Sequence, residues 1–344
     1  MKKIFVVDDN ETNRVTAKTA LENYYVIFAL PSAEKMFKLL EKITPDLILL
    51  DIDMPEMDGF EAMHFLKLNE KSKGIPVIFL TSKSDAAVEI RGFELGVVDF
   101  INKPFTPPVL MKRIENHLEQ DKLIKKSLIA LHSLHNATIG VLANLVESRD
   151  KITGKHIERT QGYLKILVDE LVTEGIYADE ILDWDMSLVL PSAQLHDVGK
   201  IVISDVILNK TEKLTDEEYE KIKEHASEGE RIINEIIEKT DDDDFLIYAR
   251  KFAGTHHEKW NGKGYPRGLA GENIPLEGRI MAIADVYDAL VSQRPYKKAF
   301  SHEEAVRIIK EDSGTHFDPI LVEVFLKSEQ VFRFTAHKFN QNQI

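Results

Sequence analysis

The first 120 residues alternate between strand-length apolar runs and amphipathic stretches, and this alternation restricts the fold more than any other feature. The runs are Ile4–Val7, Tyr25–Ala29, Leu47–Leu50, Val77–Leu80 and Val98–Ile101. The amphipathic stretches lie near 11–23, 33–42, 59–70, 85–95 and 106–120. Short continuous apolar runs suit strands buried on both faces, and strand–helix alternation builds a parallel sheet covered by helices. The expected fold of this part is an α/β doubly wound five-stranded parallel sheet. Ligands of such sheets gather at the carboxyl ends of the strands. Those ends carry Asp8 and Asp9, Asp51, Thr81 and Lys103. Clustered carboxylates repel each other and call for a hard cation such as Mg²⁺. A hydroxyl and an ammonium opposite them would hold phosphoryl oxygens.

Beyond the sheet the pattern becomes helical. Residues 109–150 read as nearly continuous helix, beginning at Pro107-Pro108, since proline is tolerated in a first turn. Ile124, Leu128, Leu131, His135, Thr138, Leu142 and Leu145 alternate by four and three. That is coiled-coil spacing with two polar members; an amphipathic helix packed on the following domain fits equally. Gly140 is a candidate weak point. Further helices are expected near 143–150, 156–174, 187–198, 215–237, 244–256, 278–292, 302–312 and 318–327. Thr215 with Glu218 forms a capping-box signature. The run Asp241–Asp244 reads as a solvated loop, and the tail after Phe334 as frayed. The expected organisation is a doubly wound domain at 1–120, a helical linker at 121–142, an all-α domain at 143–330 and a tail at 331–344.

Composition narrows the functional class. A length of 344 residues suits two domains with separate cores. The net charge of −14 disfavours non-specific binding to nucleic acid or anionic membranes. No apolar run approaches the length of a bilayer crossing, and Ile4–Val7 is too short for a secretory segment. With no cysteine, disulfides and thiolate metal sites are excluded. The expectation is a cytoplasmic protein that binds neither DNA nor membrane.

The later half concentrates metal-ligand chemistry. His196-Asp197 is followed by His225, His256-His257 and Asp285, with Lys200 three residues after Asp197. Imidazoles are the commonest metal ligands and carboxylates supply harder oxygens. One Asp beside a His could bridge two ions, an arrangement suited to cleaving phosphate esters.

The surrounding residues carry two resemblances. Leu49-Leu50-Asp51-Ile52-Asp53-Met54-Pro55, with Asp8-Asp9, Thr81 and Lys103-Pro104, resembles a response-regulator receiver domain. The resemblance implies phosphorylation of Asp51 by a histidine kinase, Mg²⁺ held by Asp8, Asp9, Asp51 and the carbonyl of Asp53, and a switch of Thr81, Phe100 and Lys103. From about Ala143 to Leu326, His196-Asp197-Val198-Gly199-Lys200, His256-His257-Glu258, Gly264-Tyr265-Pro266 and Asp285-Val286-Tyr287-Asp288 resemble the HD-GYP cyclic di-GMP phosphodiesterases. The chain departs from that pattern at Asn261 and Pro191, neither of them a ligand position.

By the second resemblance, His156, His196, Asp197 and Asp285 hold one metal, and Asp197 bridges to another held by His225, His256 and His257. The two ions would be Fe, Mn, Ni or Zn. Some members carry a third metal through a Glu four residues before the first ligand histidine. Ile152 stands there, so two are expected. Asp197 and Lys200 take catalytic roles, Lys200 by stabilising developing charge. Arg294 and Lys297 are candidate phosphate clamps and Tyr265 a candidate substrate-stacking group. Glu147 and Asp150 are expected outside the ligand set. The implied function is hydrolysis of cyclic di-GMP to pGpG and onward to GMP under control of Asp51, in a homodimer. The alternatives are another cyclic dinucleotide, such as cyclic GMP-AMP, or a scaffold that binds diguanylate cyclases.

Overall fold

The computed structural model describes residues 1–82, 86–149, 155–240, 244–293 and 299–341. Asp150, Ile152, Asp241–Asp243, Arg294 and Lys297 lie outside the described residues. The chain divides into two compact units, Met1–His132 and Ser133–Ile344.

In the first unit five strands, β1 (Lys3–Val7), β2 (Val26–Leu30), β3 (Leu47–Asp51), β4 (Val77–Thr81) and β5 (Asp99–Asn102), form a parallel sheet in the order β2-β1-β3-β4-β5. Each falls within one or two residues of its expected run. The helices α1 (Glu11–Leu21), α2 (Ala33–Leu40), α3 (Gly59–Leu68), α4 (Ala86–Glu94) and α5 (Pro107–Glu147) alternate with them. Alternate strand residues feed two cores. Phe5, Val7, Ile48, Leu50 and Phe79 face one side, while Ile4, Val6, Leu47, Leu49 and Leu80 face the other. The strand order reverses between β1 and β3, so Asp8 and Asp51 emerge at the crevice where such folds bind ligands. Gly59 is required beside them: a Cβ there would lie 2.5 Å from the Asp51 carbonyl oxygen.

Helix α5 runs unbroken through Gly140. The packed reading of its periodicity holds on one face, and the coiled-coil stripe leaves another face exposed. Ile139, Ala143 and Val146 are buried with Phe245 and Ala249 in a core of the second unit, and His135 packs edge-on to Phe245. Ile124, Leu128, Leu131, Leu142 and Leu145 are all more than half exposed. Among the described residues α5 has the length and hydropathy of a membrane span, with mean hydropathy 1.3 over 18 residues. This corrects the expectation that no run approaches that length. Residues 127–146 carry no Asp, Glu, Lys or Arg, but Ser, His, Asn and Thr interrupt the apolar sequence.

The second unit is helical: α6 (His156–Glu174), α7 (Ala178–Ile181), α8 (Met186–Ser192), α9 (Asp205–Leu208), α10 (Asp216–Ile237), α11 (Asp244–Thr255), α12 (Leu276–Val291), α13 (His302–Glu311) and α14 (Pro319–Gln341). Its main core stacks Tyr163 on Phe332 at 5.1 Å and sets Tyr287 and Phe325 edge-on around them. Two expectations are corrected. The helix expected over 187–198 ends at Ser192 and gives way to 3₁₀ turns at Ala193–Leu195 and Val198–Val202. Pro191 offers no N–H to continue the ladder. The tail expected to fray after Phe334 is instead helical through Gln341. Phe332 and Ala336, one turn apart, are buried in the core and hold it down.

Candidate metal centre

The 3₁₀ turns after α8 aim His196 and Asp197 into the same space. Gly199 brings that segment against α10, since a Cβ there would overlap the His225 carbonyl oxygen at 1.9 Å. His225 comes from α10, His256-His257 from the end of α11, His156 from the start of α6 and Asp285 from α12. Two nests of ligand atoms result. Asp197, His225, His256 and His257 form one; His156, His196 and Asp285 form the other; within each, the ligand atoms lie within 4.8 Å of one another. Asp197 joins them. Its Oδ1 is 3.4 Å from His225 Nε2, and its Oδ2 is 3.2 Å from His196 Nε2 and 2.8 Å from Lys200 Nζ.

The other nitrogen of four of the five imidazoles is engaged. His196 Nδ1 lies 2.9 Å from the Ala193 carbonyl, His225 Nδ1 2.6 Å from that of Ile222, and His256 Nδ1 2.9 Å from that of Phe252. His156 Nδ1 lies 2.7 Å from Asp288 Oδ2. Donation from Nδ1 leaves each Nε2 lone pair directed inward, the arrangement that orients metal-ligating histidines. His196 Nε2 is buried and makes no hydrogen bond among the described residues, although Asp197 Oδ2 is 3.2 Å away. A buried polar atom without a partner is costly, and a cation shared with Asp197 would satisfy it. His225 Nε2 faces His256 Nε2 at 3.3 Å, again two electronegative atoms with room for a positive charge between them. The residues present fit divalent cations.

Electrostatics agree. Burial, aided by neighbouring histidines, pushes the His256 imidazole down to about 3 and holds His257 well below its ordinary value. Burial also lowers His225. Neutral imidazole is the ligand form. Burial raises Asp197, but Lys200, His196 and His225 outweigh it and hold the carboxylate ionised well below its usual range. His196 is the exception: burial lowers it, but Asp197 beside it raises it further.

These residues line a cavity of about 660 Å³. His156, Asp197, Lys200, His225, His257, Tyr265 and Asp285 all border it. Tyr265 packs its ring 4.7 Å from that of His257. Its loop is fixed by glycine: a Cβ at Gly264 would lie 2.3 Å from Lys259 N, and Gly262 and Gly268 have φ of +75° and +68°. Buried Glu258 accepts hydrogen bonds from the backbone of Arg267 and Leu269 across that loop. Lys213, Lys259, Tyr219 and His316 also line the cavity; sequence reasoning assigned them no role.

Asp288 was also passed over. It lies one turn beyond Asp285 on α12 and is fully buried. It takes a forked ion pair from Arg159, 2.6 and 2.9 Å, and accepts from His156. Burial raises its carboxyl, but the hydrogen bonds from His156 and Arg159 prevail and lower it. Glu147 is drawn toward the site more than expected. Its Oε1 is buried without a hydrogen bond among the described residues, and it borders a small void with His156, His196, Asp197 and Lys200. Burial raises its carboxyl against the opposing pull of His156, His196 and Lys200.

In the first unit Asp8, Asp9 and Asp51 form a third nest, two of them buried. Lys103 Nζ bridges Asp8 at 2.9 Å and Asp51 at 2.6 Å. Burial, and then the charge of Asp8, raise the Asp51 carboxyl although Lys103 opposes them. The Asp53 backbone N–H reaches Asp51 Oδ1 at 3.3 Å. Thr81 is buried at the end of β4. Phe100 is turned inward, 5.1 Å from Phe93 and 5.6 Å from Phe79.

Residues 4–115 match the family model described as response regulator receiver domain, and residues 140–321 match that described as HD domain. The chain belongs to the response regulators that join a receiver to an HD domain. It is 41% identical to a probable cyclic di-GMP phosphodiesterase of Vibrio cholerae serotype O1, over 98% of this chain and 80% of the relative. It is 32% identical to the cyclic di-GMP phosphodiesterase response regulator RpfG of Xanthomonas campestris pv. campestris, over 94% of this chain and 87% of the relative. A 3'3'-cGAMP-specific phosphodiesterase 2 of Vibrio cholerae is 38% identical over 54% of this chain and 33% of the relative.

Proposed function

We propose that this response regulator hydrolyses cyclic di-GMP to linear pGpG, and then to GMP, at a binuclear metal centre in its HD domain. The observation that carries this reading is the meeting of two ligand nests on one carboxylate, Asp197, with Lys200 on the same oxygen as His196. His156, His196, Asp197 and Asp285 would hold one divalent cation; Asp197, His225, His256 and His257 would hold the other. Such a pair, when bound, neutralises phosphate charge and lowers the pKa of water. Histidine and carboxylate donors admit Fe, Mn, Ni or Zn.

The chain's own groups supply the rest. Lys200 places an ammonium at the cavity wall, where it stabilises charge developing on the phosphate oxygens. Asp288 holds His156 in one tautomer and orientation. Tyr265 presents a ring face at the cavity wall, suited to stacking on a base. Arg294 and Lys297 remain proposed as phosphate clamps. The domain organisation is read as a receiver at 1–120, a linker at 121–142 and an HD domain from 143; the structure carries helix beyond 330.

Asp51 is the proposed phosphoacceptor of a histidine kinase, with Mg²⁺ at Asp8, Asp9 and the Asp53 carbonyl. The exposed leucine and isoleucine stripe on α5 favours pairing with a second copy. This supports a homodimer in which α5 carries the signal. The scaffold alternative, which binds diguanylate cyclases through the Tyr265 loop, is not supported by a ring packed on His257.

The cGAMP-specific relative favours one second reading, cleavage of cyclic GMP-AMP. Turnover of both dinucleotides by metal-loaded protein tests the assignment. A higher kcat/KM for cyclic di-GMP is expected; a higher value for cyclic GMP-AMP would replace it. Beryllofluoride should alter turnover or the dimer fraction, and Asp51→Ala should abolish that response. Turnover and light scattering that stay constant with beryllofluoride bound at Asp51 would contradict receiver control.

A further inference from the structure

The end of α5 is tied to the segment that carries Lys200 by one side chain. Arg149 follows the last helical residue by two and is held to α5 through its backbone N–H to the Val146 carbonyl. Its guanidinium makes five hydrogen bonds to residues 200–205. Nη1 donates to the carbonyls of Lys200 at 3.3 Å and Ile201 at 2.6 Å. Nη2 donates to the Ile203 carbonyl at 2.9 Å and to Asp205 Oδ1 at 2.8 Å, and Nε to the same Oδ1 at 3.1 Å. Asn209 Nδ2 closes the contact by donating to the Arg149 carbonyl at 2.8 Å. An arginine has five N–H donors in a fixed fork, so the guanidinium is fully committed to this one segment. A lysine, a point charge on a flexible stem, could not reproduce it.

The segment so held is irregular. It consists of the 3₁₀ turns Val198–Val202 and the short helix α9, and the ladder bonds that would stiffen a long helix are missing. Yet Lys200 must keep its ammonium on Asp197 Oδ2 at 2.8 Å. We propose that Arg149 is a positioning residue: it fastens residues 200–205 to the end of α5, so that the end of α5 sets where Lys200 stands over Asp197. This rests on the phosphodiesterase reading above and goes beyond it by naming the residue through which α5 acts on the site. Because α5 is one helix from Pro107, a displacement of its end would move the Lys200 carbonyl directly.

The test uses the full-length metal-loaded protein and two substitutions, Arg149→Lys and Asp205→Ala. Asp205 has a side chain 67% exposed, so its truncation removes a partner of the guanidinium without opening a core. Five quantities are measured: kcat and KM for cyclic di-GMP, bound metal, amide exchange over 198–209, and the acetylation rate of Lys200 by mass spectrometry. Arg149→Lys should lower kcat roughly 10- to 100-fold, the range for partners that orient a site. KM and metal content should hold. Exchange over 198–209 and acetylation of Lys200 should both quicken, and Asp205→Ala should shift each in the same direction by less. If Arg149→Lys fails to fold, the Asp205→Ala shifts decide alone.

The proposal is overturned if Lys200 reactivity and kcat are unchanged while the variants are folded, or if the loss is in metal content or KM instead. A metal-loaded parent with no turnover would refute the phosphodiesterase reading separately. The positioning role would then stand or fall on Lys200 reactivity and exchange, which need no turnover.

Discussion

The receiver and the HD unit both gather buried acids at a candidate cation site, but they balance charge in different ways. In the receiver, three carboxylates meet at strand ends and an internal ammonium, Lys103, spans Asp8 and Asp51. Every buried charge there already has a partner, so the site is tolerable with or without Mg²⁺. In the HD unit one carboxylate, Asp197, faces four imidazoles, and three of those are held neutral by burial. Among the described residues, His196 Nε2 is left without a hydrogen bond. The first site suits an exchangeable ion that comes and goes with a phosphoryl group; the second suits resident ions. A buried site need not be pre-balanced by the chain when a metal completes it.

The sharpest break in this comparison is Asp197→Ala. Asp197 belongs to one nest and reaches His196 of the other at 3.2 Å, so its loss should lower turnover roughly a thousandfold or more, about 4 kcal/mol of barrier. Metal content measured on the same preparation should fall as well. Turnover within tenfold of the parent would remove the bridging role.

Asp288→Asn comes next. It weakens the hold on His156 and leaves the Arg159 guanidinium without its carboxylate. Activity and metal affinity should drop roughly 10- to 100-fold. Urea unfolding should show a loss of about 3–5 kcal/mol, the scale for breaking a buried ion pair on one side. Wild-type stability with wild-type metal affinity would make Asp288 a bystander.

The smallest effect is one of pH. In metal-stripped protein, His256 is pushed down to about 3 and His316 to about 4, both chiefly by burial. The unfolded chain protonates them near 6.5. Stability from these groups is therefore present above about 6.5 and is lost as pH falls toward their folded values. The urea midpoint of chelated protein should fall between pH 7.5 and 5.5, and metal-loaded protein should resist that fall. A midpoint that rises on acidification would contradict the neutral-histidine assignment.

The sheet was legible because its strands are buried on both faces, which writes uninterrupted apolar runs into the sequence. The strand-end acids could be read with it, since a parallel sheet fixes where its strand ends meet. In the HD unit the candidate ligands His196 and His256-His257 were legible as dipeptides, His225 by its place between them, and His156 through the family resemblance alone. Their supports were not. Asp288 serves His156 across 132 residues, and Arg149 grips a segment more than fifty residues away; no local pattern marks such a pairing. Asp288 did leave one signal, its position one turn beyond Asp285. The break after α8 is signalled by Pro191, which has no N–H to donate. The helix beyond Phe334 is hidden by a polar composition, while Phe332 and Ala336 keep one face apolar.

The central claim is that the HD unit holds two cations and uses them to open a cyclic dinucleotide. The most direct measurement is a titration of metal-free protein with anaerobic Fe²⁺ or Mn²⁺, following bound metal by elemental analysis and conversion of cyclic di-GMP to pGpG in the same samples. Activity should rise with loading and level off at two metals per HD unit, after allowance for the exchangeable receiver site in an Asp51→Ala background. Full activity only at three metals, or two tightly bound metals with no pGpG formed, would contradict it.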